Sequence, residues 1–145
     1  MAKDVVNGRR VISGAHGTLW WNNEKIAEVK TLDAKITANR EDVQLGLSVD
    51  SKMVGLVGEG TIVLFKCFSR SRPVVEKWQK GFDERVRFVG SIKDPDAEGG
   101  KEERVSIDNV WFKDLPLIQF TKGEKMEEEL AFGFTPTDAE FESSI

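Results

Sequence analysis

The sequence is poor in the residues from which reactive or cross-linked sites are built. Its 145 residues include one cysteine, Cys67, and one histidine, His16. A single cysteine excludes an intramolecular disulfide and a thiolate metal cluster, and it indicates a reducing compartment. His16 lies in the segment SGAHG without any sign of a partner, and Cys67 lies in an apolar run where cysteine acts as a small hydrophobe. The sequence therefore predicts no catalytic residue and no metal ligand.

Long apolar runs and phosphate-binding motifs are also absent. No apolar run approaches the roughly 20 residues that span a bilayer, and the first residues contain no apolar signal core. We therefore expect a soluble protein that is made in the cytoplasm and does not insert into membranes by itself. The glycines match neither GxGxxG nor GxxxxGKS, so no cofactor is predicted.

Charge of one sign is not in large excess. The 21 basic and 25 acidic residues give a net charge of −4, which lacks the basic footprint of a sequence-specific nucleic-acid binder. With 39% apolar and 32% charged residues, the chain has the composition of one globular domain, residues 1–145, with one core. Residues 1–14 are polar and carry little pattern, and we expect them to form an arm that contact with something else orders.

Alternation of apolar and polar residues predicts strands along much of the chain. Asn22 and Asn23 supply turn chemistry, so the first two strands are predicted to form a hairpin. The most apolar predicted strand, residues 59–68, has hydrophobic side chains on both faces, which predicts that other parts of the protein cover both faces. A change of frame in ERVSIDNVWF predicts a bulge near Asp108 and Asn109. The predicted strands span residues 18–21, 25–38, 59–68, 85–94 and 103–112.

One helix is predicted, in the segment SRPVVEKWQKG. Ser71 is a good N-cap, Pro73 suits the first turn, and Gly81 suits the position just beyond the end. Val74 and Trp78 fall on one face of this helix. A single short helix among six or more antiparallel strands predicts a mainly β domain, a barrel or sandwich that the helix caps.

The segment between the second and third predicted strands, residues 39–60, is longer than the ~12–15 residues of an ordinary loop. It mixes glycines with apolar side chains, which invite aggregation unless something covers them. It either folds back on its own core, forms an extra hairpin, or is a long loop that a partner covers. The candidate contact residues are Val49, Met53, Val54, Leu56 and Val57.

The acidic run EKMEEELAFGF admits a helix or a strand. Glutamate, methionine and leucine favour a helix, whereas the aromatic half and Gly133 favour a strand. A strand sets Glu128, Leu130 and Phe132 on one face and Glu127 and Glu129 on the other. Because neighbouring carboxylates then diverge, the run predicts a charged surface and no metal site. The other acidic run, DPDAEGG, lacks the spacing of a calcium loop and is interpreted as a connection between strands.

Several segments, in this order, resemble the tail tube proteins of PBSX-like contractile phage tails and of phage-tail-like bacteriocins. They are ISGAHGTLWWNNEKIAEVKTLDAKITANREDV, GEGTIVLFKC, ERVSIDNVWFKDLPL and EKMEEELAFGF. The resemblance covers about residues 11–136, and the tube proteins of type VI secretion are related to the same family.

The resemblance implies a structural subunit, not an enzyme, that forms six-membered rings stacked into a tube inside a contractile sheath. It implies that residues 39–60, the N-terminal arm and a C-terminal arm, residues 136–145, contact neighbouring subunits. The implied partners are further copies of the chain, the sheath protein, baseplate or initiator proteins and tape-measure proteins, with DNA as a cargo that passes without specific binding. The particle would assemble in the bacterial cytoplasm and leave by lysis.

Within such a tube, two charged sets have expected places. The helix residues Glu76, Lys77 and Lys80 are expected to face the sheath. Glu127 and Glu129 are expected to face the lumen or a subunit interface. A different class remains open, a monomeric carbohydrate-binding β-sandwich in which tryptophans stack on sugars, and its candidate platforms are Trp20, Trp21 and Trp111.

Overall fold

Strands dominate the architecture. The computed structural model describes residues 8–145, and within them the chain forms eight strands and one α-helix. The predicted class, mainly β with one short helix, is confirmed. The strands are β1 (Gly17–Trp21), β2 (Glu24–Lys25), β3 (Val29–Leu45), β4 (Ser48–Phe65), β5 (Val86–Ile92), β6 (Glu103–Phe112), β7 (Glu127–Phe134) and β8 (Ala139–Ser143), and the helix is α1 (Arg72–Gln79).

β6 joins the two halves of the sheet. The strand order is β2-β1-β5-β6-β7-β4-β3, with β8 paired to β6 off this path, and all pairs are antiparallel. The first half of β6 pairs β8, and its last residues pair β7. Between the two halves Asn109 has a φ of 54°, and the register to β5 shifts by one residue. The predicted bulge is therefore confirmed, and it lets one strand serve two sheets.

The start of the chain departs from the predicted hairpin. Asn22 and Asn23 both have positive φ and connect β1 to β2, as a type I′ turn requires. However, β2 ends at Lys25, and the next strand, β3, pairs β4 instead of β1. The predicted strand 25–38 is wrong in its pairing because the chain crosses between the sheets at residues 26–28, where Ile26 is buried in the core.

Aromatic rings from both sheets meet in the core. Phe88 of β5 lies edge-on to Trp21 of β1 and to Phe132 of β7, with ring centroids 5.4 and 5.2 Å apart. Leu130 and Phe132 are fully buried, which confirms the strand interpretation of the acidic run and its inward face. Other buried members of the core are Leu19, Ile62, Leu64, Val74, Val86, Ile107, Val110, Phe112 and Phe134.

Two predictions for residues 59–68 are wrong. β4 is buried on one face only, because Ile62 and Leu64 point into the core while Phe65 remains 36% exposed. The strand also ends at Phe65, so Cys67 lies beyond it and is exposed instead of packed mid-strand. The outer face of this sheet carries charged side chains, among them Lys30 and Glu59.

α1 confirms the predicted helix. Pro73 occupies its first turn, Val74 is buried against the core, and Gly81 just beyond its end has a φ of 85°. Ser71 precedes the helix, but its side chain makes no capping hydrogen bond. Its hydroxyl donates instead to Glu128 Oε1 of β7, at 3.1 Å, so it ties the helix to the sheet.

The C-terminal segment, residues 136–145, is not a free arm. After a short 3-10 helix, Pro136–Asp138, it forms β8 and pairs β6. Arg104 of β6 donates to Glu142 Oε2 at 2.7 Å, and Glu142 Oε1 accepts from Arg87 at 3.3 Å. The predicted arm is therefore corrected to an edge strand, because its alternating residues find pairing partners within the same chain.

The N-terminal arm was predicted over residues 1–14, of which residues 1–7 lie outside the described part. The remaining residues of the arm lie along the β5–β6 connection, which contains the DPDAEGG run that was predicted to link two strands. Ser13 N donates to Asp94 Oδ2 at 2.9 Å, and Arg9 Nε donates to Asp96 Oδ1 at 2.9 Å. Hydrogen bonds from the backbone N–H groups of Asp96 and, to a lesser extent, Ser13 hold the pKa of Asp94 below its ordinary value.

Candidate assembly surface

Residues 39–60 form the outer part of a β-hairpin, so the predicted long loop is wrong and the alternative of an extra hairpin is right. β3 and β4 pair from Val29 and Leu64 out to Leu45 and Ser48, where Gly46 turns with a φ of 65°. β7 pairs β4 only from Gly58 inward. In the described part of the chain, the two strands beyond that point therefore have no third strand beside them. We call residues 36–57 the hairpin arm.

The register shows which way the apolar side chains of the hairpin arm face. Residues directly opposite each other share a face of the sheet. Leu32 lies opposite Ile62, which is fully buried, so this pair marks the core face. On the same face, further out, Ile36 lies opposite Gly58, and Leu56 lies opposite Ala38.

The core face continues past a bulge in β4. The register shifts between Asn39 and Arg40, and Val54 is the extra residue of β4 at this place. Beyond the shift, Met53 lies opposite Arg40 and Val49 lies opposite Gln44, still on the core face. Four side chains thus extend the core as an apolar stripe, and each is between 45% and 60% exposed. The stripe consists of Ile36, Val49, Met53 and Leu56.

The structure brings together three of the five predicted contact residues. Val49, Met53 and Leu56 belong to the apolar stripe, Val57 points to the opposite face, and Val54 sits at the bulge. All five are exposed. The sequence missed Ile36, which contributes from the other strand of the hairpin. Its alternation with Ala34 and Ala38 was visible, but the pairing that makes it a neighbour of Leu56 was not.

Two strand edges remain open in the described part of the chain. β3 pairs β4 on one side and has no strand on the other side along its whole length. β1 pairs β2 only at Trp20 and Trp21. Between β1 and β3 lies a cleft of about 450 Å3, across which Leu32 reaches over Gly90. The barrel is therefore incompletely closed by hydrogen bonds, and its edges can accept further strands.

The outer face of the β3-β4-β7 sheet is charged. Lys30 Nζ donates to Glu127 Oε1 at 2.8 Å, and Glu59 lies between Lys35 and Lys113, at 4.0 and 3.3 Å. Glu129 is exposed on the same face, opposite Val63 of β4. The strand therefore places Glu127 and Glu129 side by side on this outer surface.

Glu128 points the other way and is buried. Its carboxylate accepts a hydrogen bond from Lys66 Nζ at 3.0 Å in addition to the one from the Ser71 hydroxyl. The middle glutamate of the run is thus a structural residue, as its place on the core side of the strand predicts. Within residues 8–145 no three acidic, histidine or cysteine side chains come close enough together to hold a metal ion.

A second buried ion pair holds the chain where it enters α1. Arg70 Nε donates to Glu28 Oε1 at 2.6 Å, and Arg70 Nη1 donates to Glu24 Oε1 at 2.7 Å. The hydrogen bond from Arg70 lowers the pKa of Glu28, against the opposing effect of burial. The β2–β3 crossing is thereby tied to the β4–α1 connection, close to the inner end of the hairpin.

The three predicted helix residues are all exposed, Glu76 and Lys77 within α1 and Lys80 at its C-terminal cap. Arg72 Nε donates to Glu76 Oε1 at 2.7 Å, one turn along the helix, and this hydrogen bond lowers the pKa of Glu76. Lys77 Nζ lies 5.8 Å from the ring centroid of Phe82, and Lys80 is exposed at the helix end. The helix thus presents a mixed-charge surface.

The three tryptophans that were candidate sugar-binding platforms have different surroundings. Trp21 is buried in the core. The guanidinium of Arg104 lies 4.8 Å from the ring centroid of Trp20, and that of Arg85 lies 4.8 Å from Trp111. Each of the two half-exposed rings therefore has a cation–π contact on one face.

Among residues 8–145, no helix has the length and apolar character that crossing a membrane requires.

Comparisons with known proteins agree with the observed fold and with the family resemblance seen in the sequence. The profile of the family described as phage tail tube protein matches residues 4–141. The chain is 25% identical over 137 residues to the phage-like element PBSX protein XkdM of Bacillus subtilis strain 168, which covers 92% of this chain and 93% of that protein. YqbM of the same organism shows the same identity and coverage.

Solved structures with a similar fold come from multi-subunit particles. One is the sheath–tube complex of the extracellular contractile injection system PVC in its extended state, with a TM-score of 0.64 and 10% identity over 92% of both chains. Another is the tube-terminating cap of the anti-feeding prophage, with a TM-score of 0.67 and 13% identity over 99% of this chain and 100% of the other. A chain of the native gene transfer agent virion has a TM-score of 0.58 and 13% identity over 92% and 98%.

Proposed function

The chain belongs to the phage tail tube protein family, and on that premise we propose that it forms the inner tube of a contractile particle as stacked six-membered rings. Its role is structural and not enzymatic. The observation that carries the proposal is the apolar stripe on the hairpin arm. An isolated subunit exposes four large apolar side chains that continue its own core, and a second copy in the tube covers them.

The open strand edges support a ring. An unpaired edge such as that of β3 favours pairing with another chain, which leads to aggregation unless the pairing is directed. Different surfaces of two copies meet in a head-to-tail contact, and such a contact closes into a ring when its rotation permits. The β3 edge and the β1 edge are two such surfaces on one subunit. Six copies joined in this way would form a continuous sheet around a channel.

The charged outer face of the β3-β4-β7 sheet is the proposed channel wall. Glu127 and Glu129 would then face the lumen, where carboxylates repel phosphates and let DNA or another cargo pass without binding. The exposed side of α1, with Glu76, Lys77 and Lys80, would face the sheath. Weak polar contacts there would let the sheath detach as it contracts.

The proposed partners follow from this place in the particle. They are further copies of the chain, the sheath protein, a baseplate or initiator complex that nucleates the first ring, and a tape-measure protein in the lumen. We propose synthesis in the bacterial cytoplasm, assembly into a phage tail or a tail-like bacteriocin, and release by lysis.

Electron microscopy of the purified chain tests the proposal. At high protein concentration we expect rings or tubes roughly 80 Å across, since six domains of ~13 Å gyration radius then surround a channel. The double variant Met53→Ser, Leu56→Ser removes half of the apolar stripe and should remain monomeric. Phe82→Ser is the control, because Phe82 is as exposed as the stripe but lies beside α1. A wild-type chain that stays monomeric under all conditions, also with an initiator complex added, would overturn the proposal.

A further inference from the structure

We propose that the hairpin arm of one copy docks by its tip on the segment between β6 and β7 of a second copy. The tip comprises residues 42–51, and the segment, which we call the acceptor segment, comprises residues 113–126. The inference rests on the proposed function, because it names the surface of the neighbouring copy that covers the end of the hairpin arm.

The tip and the end of the acceptor segment that joins β7 lie at opposite ends of β4. β4 begins beside the tip at Ser48 and ends at Phe65, an extended length on the order of 55 Å for 18 residues. At the far end, Lys66 N donates to Met126 O at 2.9 Å, where the acceptor segment joins β7. A single copy therefore cannot bring its own tip to its own acceptor segment, and contact between the two requires another copy.

The acceptor segment exposes a second set of large apolar side chains. Leu117, Ile118 and Phe120 are between 67% and 81% exposed, directly after Pro116. No strand or helix holds this stretch, since β6 ends at Phe112 and β7 begins at Glu127. Three such side chains within four positions form a concentrated apolar surface that a partner can cover.

The tip offers matching apolar side chains. Leu47 in the turn is fully exposed, and Leu45 and Val49 beside it, on opposite faces of the hairpin, are 56% and 60% exposed. Both surfaces thus present exposed apolar side chains, the acceptor segment in a stretch without strand or helix and the tip around the turn between β3 and β4. Covering one with the other removes both from water, which is the main favourable term in association.

The charges of the two surfaces are also complementary. The last pairs of the hairpin contain two carboxylates, Asp42 and Asp50, and no cation. In the sequence the acceptor segment carries Lys113 and Asp114 before its apolar residues and Lys122 and Lys125 after them, with Glu124 between the last two. Opposite charges at the rim of an apolar contact set its register and speed association.

The proposed contact is heterologous, and this has a consequence for growth. Every copy carries one tip and one acceptor segment, so a chain of such contacts has two different ends. A copy with a defective tip but an intact acceptor segment can still receive a neighbour, and it then blocks addition at one end only. The tube would therefore grow with a fixed polarity.

Charge exchange tests the contact directly. The double reversal Asp42→Lys, Asp50→Lys should raise the protein concentration needed for assembly roughly tenfold or more, because like charges then meet across the contact. The double reversal Lys122→Glu, Lys125→Glu should do the same. The quadruple variant, with both exchanges in one chain, should assemble within roughly threefold of the wild-type concentration. Sedimentation velocity measures the assembled fraction, and circular dichroism checks the fold of each variant.

A charge control and a cross-link complete the test. Lys77→Glu, Lys80→Glu makes the same change of charge on exposed lysines at α1, outside both surfaces, and it should leave assembly of the chain with itself unchanged. In a Cys67→Ser background, Leu47→Cys with Ile118→Cys should give a ladder of disulfide-linked oligomers on oxidation, whereas either cysteine alone should give no ladder.

The two failures are distinguishable. If the wild type forms tubes but the quadruple variant assembles no better than either double variant and no ladder forms, the docking inference is overturned while the proposed function stands. If the wild type itself never assembles, the proposed function is overturned and the inference with it.

Discussion

Phe132 of β7 stands directly opposite Gly60 of β4, and its ring lies over the glycine. A Cβ atom at Gly60 would collide with Phe132 Cζ and with the backbone oxygen of Asp33. Gly58 and Phe134 form the same arrangement one step further out. The glycines at the base of the hairpin therefore make room for the aromatic core instead of making the chain flexible.

Gly60→Ala should destabilise the subunit by about 1–3 kcal/mol, because the rigid backbone of β3 cannot yield to the added methyl group. Urea unfolding measures the change. Gly55→Ala is the matched control on the same strand, where only the Asn39 side chain comes within 4 Å of the added atom, at 3.9 Å. Equal stability of the two variants would show that packing of the Phe132 ring does not require a glycine at position 60.

Glu128→Ala should destabilise the subunit by about 1–3 kcal/mol, because it leaves the buried Ser71 hydroxyl and the ammonium of Lys66 without their acceptor. Glu129→Ala, the next residue on the exposed face, should change stability by no more than about 0.5 kcal/mol. Thermal or urea unfolding of the two variants checks the prediction. A larger loss from Glu129→Ala than from Glu128→Ala would contradict the strand orientation.

Glu28→Gln should lower stability at pH 7 by about 1–3 kcal/mol, because Arg70 loses a charged hydrogen-bond partner. The pKa of Glu28 lies below its ordinary value of 4.5 in the folded protein, so the stabilisation is present above that pH. It is lost as the pH falls through the folded pKa. The difference between wild type and variant should therefore shrink below about pH 4.5 in urea unfolding, and a difference independent of pH would contradict the assignment.

Lys77→Glu, Lys80→Glu should weaken co-assembly with the sheath protein while tubes of the variant alone form as before. The two side chains lie on the exposed side of α1, away from the hairpin arm, so only a partner at the helix should sense the reversal. Co-sedimentation of tubes with sheath protein measures the effect. Unchanged sheath binding would remove α1 from the sheath contact.

Local sequence signals predicted the elements whose chemistry is local. The Asn22–Asn23 turn, the bulge at Asn109 and the limits of α1 each depend on a few adjacent residues, and the structure confirms all three. The alternation around Leu130 also outweighed the helix propensity of the glutamates. In each case the residues that decide the structure are neighbours in the sequence.

The hairpin arm could not be predicted in the same way. Glycines in residues 39–60 resembled those of a flexible loop, but Gly58 and Gly60 are required by rings on β7, which lies about 70 residues away in the sequence. The bulge at Val54 also shifts the alternation of β4, so that Met53 and Leu56 share a face despite their odd spacing. Contact between distant strands decides both features, and no local pattern contains it.

Hydrogen exchange of the hairpin arm tests the central claim most directly, that another copy covers it. Backbone amides of residues 36–57 would be compared in assembled tubes and in subunits kept dissociated by dilution. We expect protection in the tubes to rise at least about tenfold, which corresponds to roughly 1.4 kcal/mol of added stability, along this stretch. Tubes in which these amides exchange as fast as in free subunits would show that the hairpin arm is not the contact that builds them.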